Sequence, residues 1–350
     1  MSRVVYPHSF FNLMNQDDWT TLNNSRQDFV CVSRVVMNGA GCTPALLGAA
    51  VARFPNLEEV HIQNFKVTDA PPGTPLPQLP RRSIPGPPPS PSPAVNALFL
   101  LRNVLSVTIS SRLDPHFHVE DDHVVRGLLD FAMAAYHFDA SAATHIVIGE
   151  GVIDVLATPV GERRRKRMPQ YRRTVHLYDP KLTPPASAAR IQNLALESIA
   201  YGLQCQMYEE SDCPDEYSPV HPLNSSIKLR IPLSLVPCLQ RMHTGDAPYF
   251  VALQELEIDW NVDVKTVARN VGQYKLPTAV DDPRLIRVHQ AIRGPVVLSA
   301  DLLLLILRLN QRSVKDRASV ELWNVQMRTE GDFLQVQTAC ASLAMVSDEQ

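Results

Sequence analysis

The densest group of chemically capable side chains is His116, His118, Glu120, Asp121, Asp122 and His123. Imidazole and carboxylate are good zinc ligands, and a zinc ion held by such a set can lower the pKa of a bound water to about 7. A metal-dependent hydrolase would use His116, His118, Asp122 and His123, but its remaining ligands would have to come from isolated histidines such as His145, His176, His221, His243 or His289. The plainer reading makes Asp121 or Asp122 the cap of a following helix and puts the histidines on a loop. A second group is the run from Gly161 to Arg173, in which Arg163, Arg164, Arg165, Lys166, Arg167, Arg172 and Arg173 supply seven cations among thirteen residues. Clustered guanidinium groups suit a nuclear-import signal or a phosphate-rich partner. Like charges side by side also suit a solvated loop. Trp260 and Trp323 stand in strand-like segments and are candidates for an exposed interaction surface, since tryptophan often anchors interfaces.

Other catalytic signatures are missing: no G-x-S-x-G, no Walker A, no H-E-x-x-H. Gly149-Glu150-Gly151 lacks the third glycine of a dinucleotide loop and reads as a strand-exit turn. Cys31, Cys42, Cys205, Cys213, Cys238 and Cys340 form no C-x-x-C pair, which points to a reducing compartment and against a disulfide framework. The expectation is therefore no catalytic residue, no bound metal and no cofactor.

Among the 350 residues, 45% are apolar and 20% charged, enough to bury a substantial core. A formal net charge of -3 disfavours a protein that coats nucleic acid. No apolar stretch approaches the ~20 residues of a membrane span, and the first residues hold no continuous apolar signal segment. The expected setting is intracellular, cytoplasmic or nuclear, without membrane attachment.

The elements that must position these residues follow a recurring pattern. A helix-like segment precedes a short strand whose apolar residues alternate or recur at i, i+3 and i+5. Leu57 to Ile62, Leu253 to Trp260 and Val320 to Val325 are the clearest strands, the last after a helical run from Ser299 to Gln311. Leu105 to Ile109, Thr144 to Ile148, Thr174 to Leu177 and Ile227 to Ile231 are further instances, with Asn193 to Leu196 contested by a helix from Ala186. Strands this short are stable only beside others and under a helical layer. Stacking the unit predicts an α/β fold, an irregular leucine-rich-repeat-like solenoid of short parallel strands backed by helices. An ordinary α/β domain with crossover helices is the alternative. The first repeats occupy 1–69. A Pro-rich insertion follows at 70–93, where eleven prolines fall between Pro71 and Pro93, expected to be disordered and extended. The array resumes over 94–344, interrupted by the basic loop 161–173 and an acidic, Pro-punctuated loop 209–224, and ends in a tail at 345–350. A helix-like cap spans Thr329 to Ala344.

The phrases FPNLEEVHI, LQELEIDW and SVELWNVQM resemble the L-x-x-L-x-L strands of the divergent fungal leucine-rich-repeat-like proteins, many of which carry an F-box. The openings VVYPHSFF and DDWTTL, and the closing helix DLLLLILRLNQRS, are similar to segments early and late in those arrays. The likeness implies adaptor work, with an F-box gripping Skp1 in a cullin ubiquitin ligase and the array holding a substrate. No Leu-Pro-initiated three-helix box is legible in 1–40, so ligase docking is not carried over. That start is expected of a repeat-only relative or of a fragment lacking its F-box. The histidine cluster is similar to the metallo-β-lactamase motif H-x-H-x-D-H. It departs from that motif by two extra residues before the Asp-His pair and by Glu120 at the aspartate's place. The leading expectation is a non-catalytic protein–protein interaction scaffold, in the finer version the substrate-recognition part of an F-box-like adaptor. A metal-dependent hydrolase and a nuclear nucleic-acid-associated protein are the alternatives.

Overall fold

The computed structural model describes residues 10–13, 29–38, 52–65, 98, 101, 104–111, 125, 128–129, 131–132, 142–159, 170–196, 227–242, 253–277, 283–312 and 316–347. The Pro-rich insertion, the cluster His116, His118, Asp122 and His123, residues Arg163 to Arg167 and the 209–224 loop lie outside them. The chain divides into two compact units, residues 1–139 with 151–199, and residues 140–150 with 200–350. Strands are numbered β1 to β14 in chain order.

The first unit carries β1 (Phe10–Leu13), β2 (Arg34–Asn38), β3 (Glu59–Phe65), β4 (Ser106–Ser111), β6 (Val152–Pro159) and β7 (Tyr171–His176). Their order across the sheet is β1-β2-β3-β4-β7-β6. All neighbours run parallel except β6 and β7, which are antiparallel. Alternation sets the inner face: Val60 and Ile62 on β3, Val107 and Ile109 on β4, Val155 on β6 and Val175 on β7 are essentially inaccessible. The helical positions 125, 128, 129, 131 and 132 bury Val125, Leu128, Leu129, Phe131 and Ala132. Residues 185–196 form helix α1, which settles the contested Asn193 to Leu196 as helix and buries Ile191 and Leu196. Gly151 has φ +75°, and a Cβ there would lie 2.5 Å from the Tyr178 carbonyl oxygen, so only glycine fits this turn.

The second unit carries β5 (Ala142–Ile148), β8 (Ile227–Pro232), β9 (Leu253–Trp260), β10 (Leu285–Gln290), β12 (Ser319–Trp323) and β14 (Ser342–Val346), side by side in that order and all parallel. β11 (Val296–Leu298) and β13 (Val325–Met327) form a separate parallel pair. Parallel neighbours need crossovers. Here these contain α2 (Val236–Met242), α3 (Val264–Arg269), α4 (Val271–Tyr274), α5 (Ala300–Ile306) and α6 (Glu330–Ala339). Leu229, Ile231, Leu256, Ile258, Ile286, Val288, Val320 and Leu322 form the strand side of the core, and Val236, Leu239, Val267, Leu303, Ile306 and Val336 the helix side. Asp263 caps α3 by accepting from the Thr266 amide, and Thr329 caps α6 by accepting from the Asp332 amide. Asp332 Oδ1 in turn accepts from the Ala300 amide, tying α6 to the start of α5.

The fold is thus mixed α/β with mostly parallel sheet, and neither unit's sheet closes on itself. Several expected boundaries shift. The Val320 to Val325 strand breaks at Asn324, whose left-handed φ of 55° separates β12 from β13. The helical run from Ser299 ends as α-helix at Ile306 and continues into a 3-10 turn at Leu309–Gln311. The expected terminal cap ends at Ala339 and gives way to β14, which takes the first two residues of the expected tail.

Candidate functional site

In a half-buried sheet the residues that alternate with the core positions share the opposite face. In the second unit that face brings together Lys228 and Arg230 from β8, Glu255, Glu257 and Asp259 from β9, Arg287 and His289 from β10, and Glu321 and Trp323 from β12. Parallel register places Arg287 between Glu257 and Glu321, and His289 between Asp259 and Trp323. Arg230 is opposite Glu257.

The charges interlock. Lys228 Nζ lies 2.6 Å from Glu257 Oε1. Arg230 donates from Nε and Nη2 to the Asp259 carboxylate at 2.8 to 3.1 Å. Arg287 donates from Nη1 to Glu255 Oε2 at 2.7 Å and to Glu257 Oε1 at 3.2 Å, and from Nε to Glu321 Oε2 at 2.7 Å. The Trp323 indole N–H donates to the same Glu321 oxygen at 3.2 Å. His289 stacks on Trp323 with ring centroids 5.5 Å apart and planes 28° apart.

These contacts decide which form each group takes. Burial alone would raise the Glu257 carboxyl, which is 4% exposed. Its contacts with His289 and Lys228 outweigh that and hold it well below the usual carboxylate range. The Glu321 carboxyl is held down chiefly by the hydrogen bond from Arg287. Burial opposes the Arg287 charge, but bonds to Glu321 and Glu255 override it and raise the guanidinium. Arg230 is raised chiefly by its bond to Asp259. His289 Nε2 is left out of these bonds. It is buried, makes no hydrogen bond, and lies 3.8 Å from Glu257 Oε2, beyond hydrogen-bonding reach.

The loops at the ends of these strands are also tied. Asn261 accepts from the Ser234 amide at 3.0 Å and donates to Ser234 Oγ at 2.8 Å and Glu150 Oε1 at 3.5 Å.

In the first unit the polar face holds smaller groups. Glu59 pairs with Arg34 at 3.3 Å and with His61 at 2.8 Å. Asp154 accepts from Arg172 Nε and Nη2 and from Thr174 Oγ1. Burial pushes the His176 imidazole down despite nearby Asp154.

Two residues expected in the basic loop prove to be strand residues, because the strand begins at Tyr171. Arg172 is bound to Asp154, which raises its guanidinium through that hydrogen bond. Arg173 points inward, 1% exposed, donates to the Leu105 and Arg172 carbonyls, and lies 5.5 Å over the Phe131 ring. Burial pushes its guanidinium down to about 10, still charged at neutral pH. Neither belongs to a free basic patch. Trp260, expected on an exposed surface, is 1% exposed and sits in the core, because its place in β9 is in phase with Leu256 and Ile258. Trp323 does reach the polar face.

Sequence reading misses β10 and with it Arg287, and it takes His289 only as an isolated histidine that could complete a metal site. The signal was present, since Ile286 and Val288 alternate with Arg287 and His289 in LIRVHQ as Leu229 and Ile231 alternate with Lys228 and Arg230. Among the described residues no group of three or more His, Cys, Asp and Glu is placed to hold a metal ion, and no helix is long and apolar enough to cross a membrane. No family model, no curated protein and no solved structure matches this chain.

Proposed function

We propose that the chain is a non-catalytic protein-interaction scaffold of irregular leucine-rich-repeat-like solenoid type, with the polar face of β8, β9, β10 and β12 as its recognition surface. The observation that carries this reading is the lateral pairing on that face. Four adjacent strands present charged or aromatic side chains already fixed by one another. A partner therefore meets a preformed surface, with little ordering left to oppose binding. Glu255 and Arg230, each 38% exposed, offer the accessible charges, and Trp323 offers a flat apolar anchor. The pairing also keeps Glu257 and Glu321 ionised and Arg230 and Arg287 charged across neutral pH, which suits recognition more than proton transfer.

The finer reading is the substrate-holding part of an F-box-like ubiquitin-ligase adaptor, and it rests on the strand phrases alone. Affinity capture with the full chain, scored by mass spectrometry for Skp1 and cullin, tests it. Recovery of both supports the adaptor. Recovery of neither removes the adaptor and leaves the scaffold to be judged by charge-reversal variants of the face. The hydrolase and nucleic-acid readings gain no support, since His116, His118, Asp122, His123 and Arg163 to Arg167 lie outside the described residues.

A further inference from the structure

Among the described residues of β8, β9, β10 and β12, His289 Nε2 on the charged face is buried and makes no hydrogen bond. It lies 3.8 Å from Glu257 Oε2, and the imidazole plane rests on Trp323. A neutral imidazole has one N–H to divide between two nitrogens, whereas an imidazolium donates from both. Protonation therefore guarantees a donor aimed at the carboxylate, and a movement of about 1 Å converts the gap into a charge-assisted hydrogen bond of 2.7–2.9 Å.

The charged groups that face His289 come from its own strand and from the strands beside it. β9 contributes Glu255, Glu257 and Asp259, and β12 contributes Glu321. Against them stand Lys228 and Arg230 from β8 and Arg287 from β10 itself. Four carboxylates thus stand among three permanent cations.

We propose that His289 is a proton-operated latch between β9 and β12: on protonation Nε2 takes hold of Glu257 Oε2, and the ring changes its stacking on Trp323. The proton comes from solvent and no bond other than N–H is made. The latch holds whether or not the face proves to be a docking surface.

Tryptophan emission of the full chain, followed from pH 8 to pH 5 at constant ionic strength, tests this over the range in which imidazoles titrate. The Trp323 contribution is the difference between wild type and Trp323→Phe. It should change reversibly along a one-proton curve. His289→Gln should abolish the change, and Glu257→Gln should move its midpoint to lower pH. Far-UV circular dichroism checks that each variant is folded. A wild-type measurement guards against misfolded variants: in NMR spectra with ring-labelled histidine, one imidazole should titrate together with the Trp323 indole N–H resonance. A flat Trp323 contribution, a transition that survives His289→Gln, or an indole resonance that titrates with no histidine would overturn the latch.

Discussion

At the scale of single residues, Glu257 holds the charged face together. It is nearly inaccessible yet ionised, because Lys228, Arg287 and His289 surround it. Removing one partner of a buried pair strands the others, so Glu257→Ala should destabilise the second unit by about 3 kcal/mol in urea unfolding. Glu255→Ala removes a much more exposed carboxylate and should cost less than about 1 kcal/mol. The pH dependence has a definite sign. The folded Glu257 carboxyl lies below its unfolded value, so its contribution is complete at neutral pH and fades as pH falls below about 4.3, the ordinary glutamate value. Glu257→Gln should flatten the acid limb of the stability curve, and an unchanged acid limb would show that the pairing adds nothing. Gly151→Ala is a test of geometry alone. The positive φ and the Tyr178 carbonyl at 2.5 Å from a built Cβ predict a loss of about 1–3 kcal/mol.

At the scale of elements, the crossovers of the second unit determine whether its strands can lie parallel. Leu303 in α5 is inaccessible, and Leu303→Ala should cost about 2–5 kcal/mol. Thr329→Ala removes the side-chain acceptor for the Asp332 amide and should cost about 1 kcal/mol. Thermal unfolding separates the two, since the core change should lower the midpoint by more than the cap change. These elements also show what the sequence made legible. β8 is legible because Leu229 and Ile231 alternate with charged residues, and β9 because Leu256, Ile258 and Trp260 alternate after an i, i+3 step from Leu253, with turn-forming residues on either side. β12 was read one element too long, because a left-handed Asn324 looks no different in sequence from an extended one. The first three residues of β14, Ser342 to Ala344, read as helix because they follow α6 without a proline or glycine to mark the break. The two strand arginines were read as loop because the preceding cations dominate the composition, whereas the alternation of Arg173 and Val175 decides which side chains turn inward. The site itself was almost illegible. Its residues come from four strands separated by crossovers, and only lateral register brings Arg287 between Glu257 and Glu321.

At the scale of the whole molecule, the second unit's main-sheet strands from β8 onward start at residues 227, 253, 285, 319 and 342, giving intervals of 26, 32, 34 and 23 residues. Two of these exceed the 20–29 residues of standard leucine-rich repeats, so the proposed array is irregular in the length of its crossovers. The claim that this face is the recognition surface is tested most directly by charge reversal at its two most accessible groups. Full-length wild type, Arg230→Glu and Glu255→Lys would be used to capture proteins from extract under matched conditions, with circular dichroism confirming equal folding. If this face binds partners, wild type retains a shared set of proteins and each reversal reduces it at least about tenfold, the effect of about 1.4 kcal/mol in binding. Equal retention by all three folded proteins would contradict it.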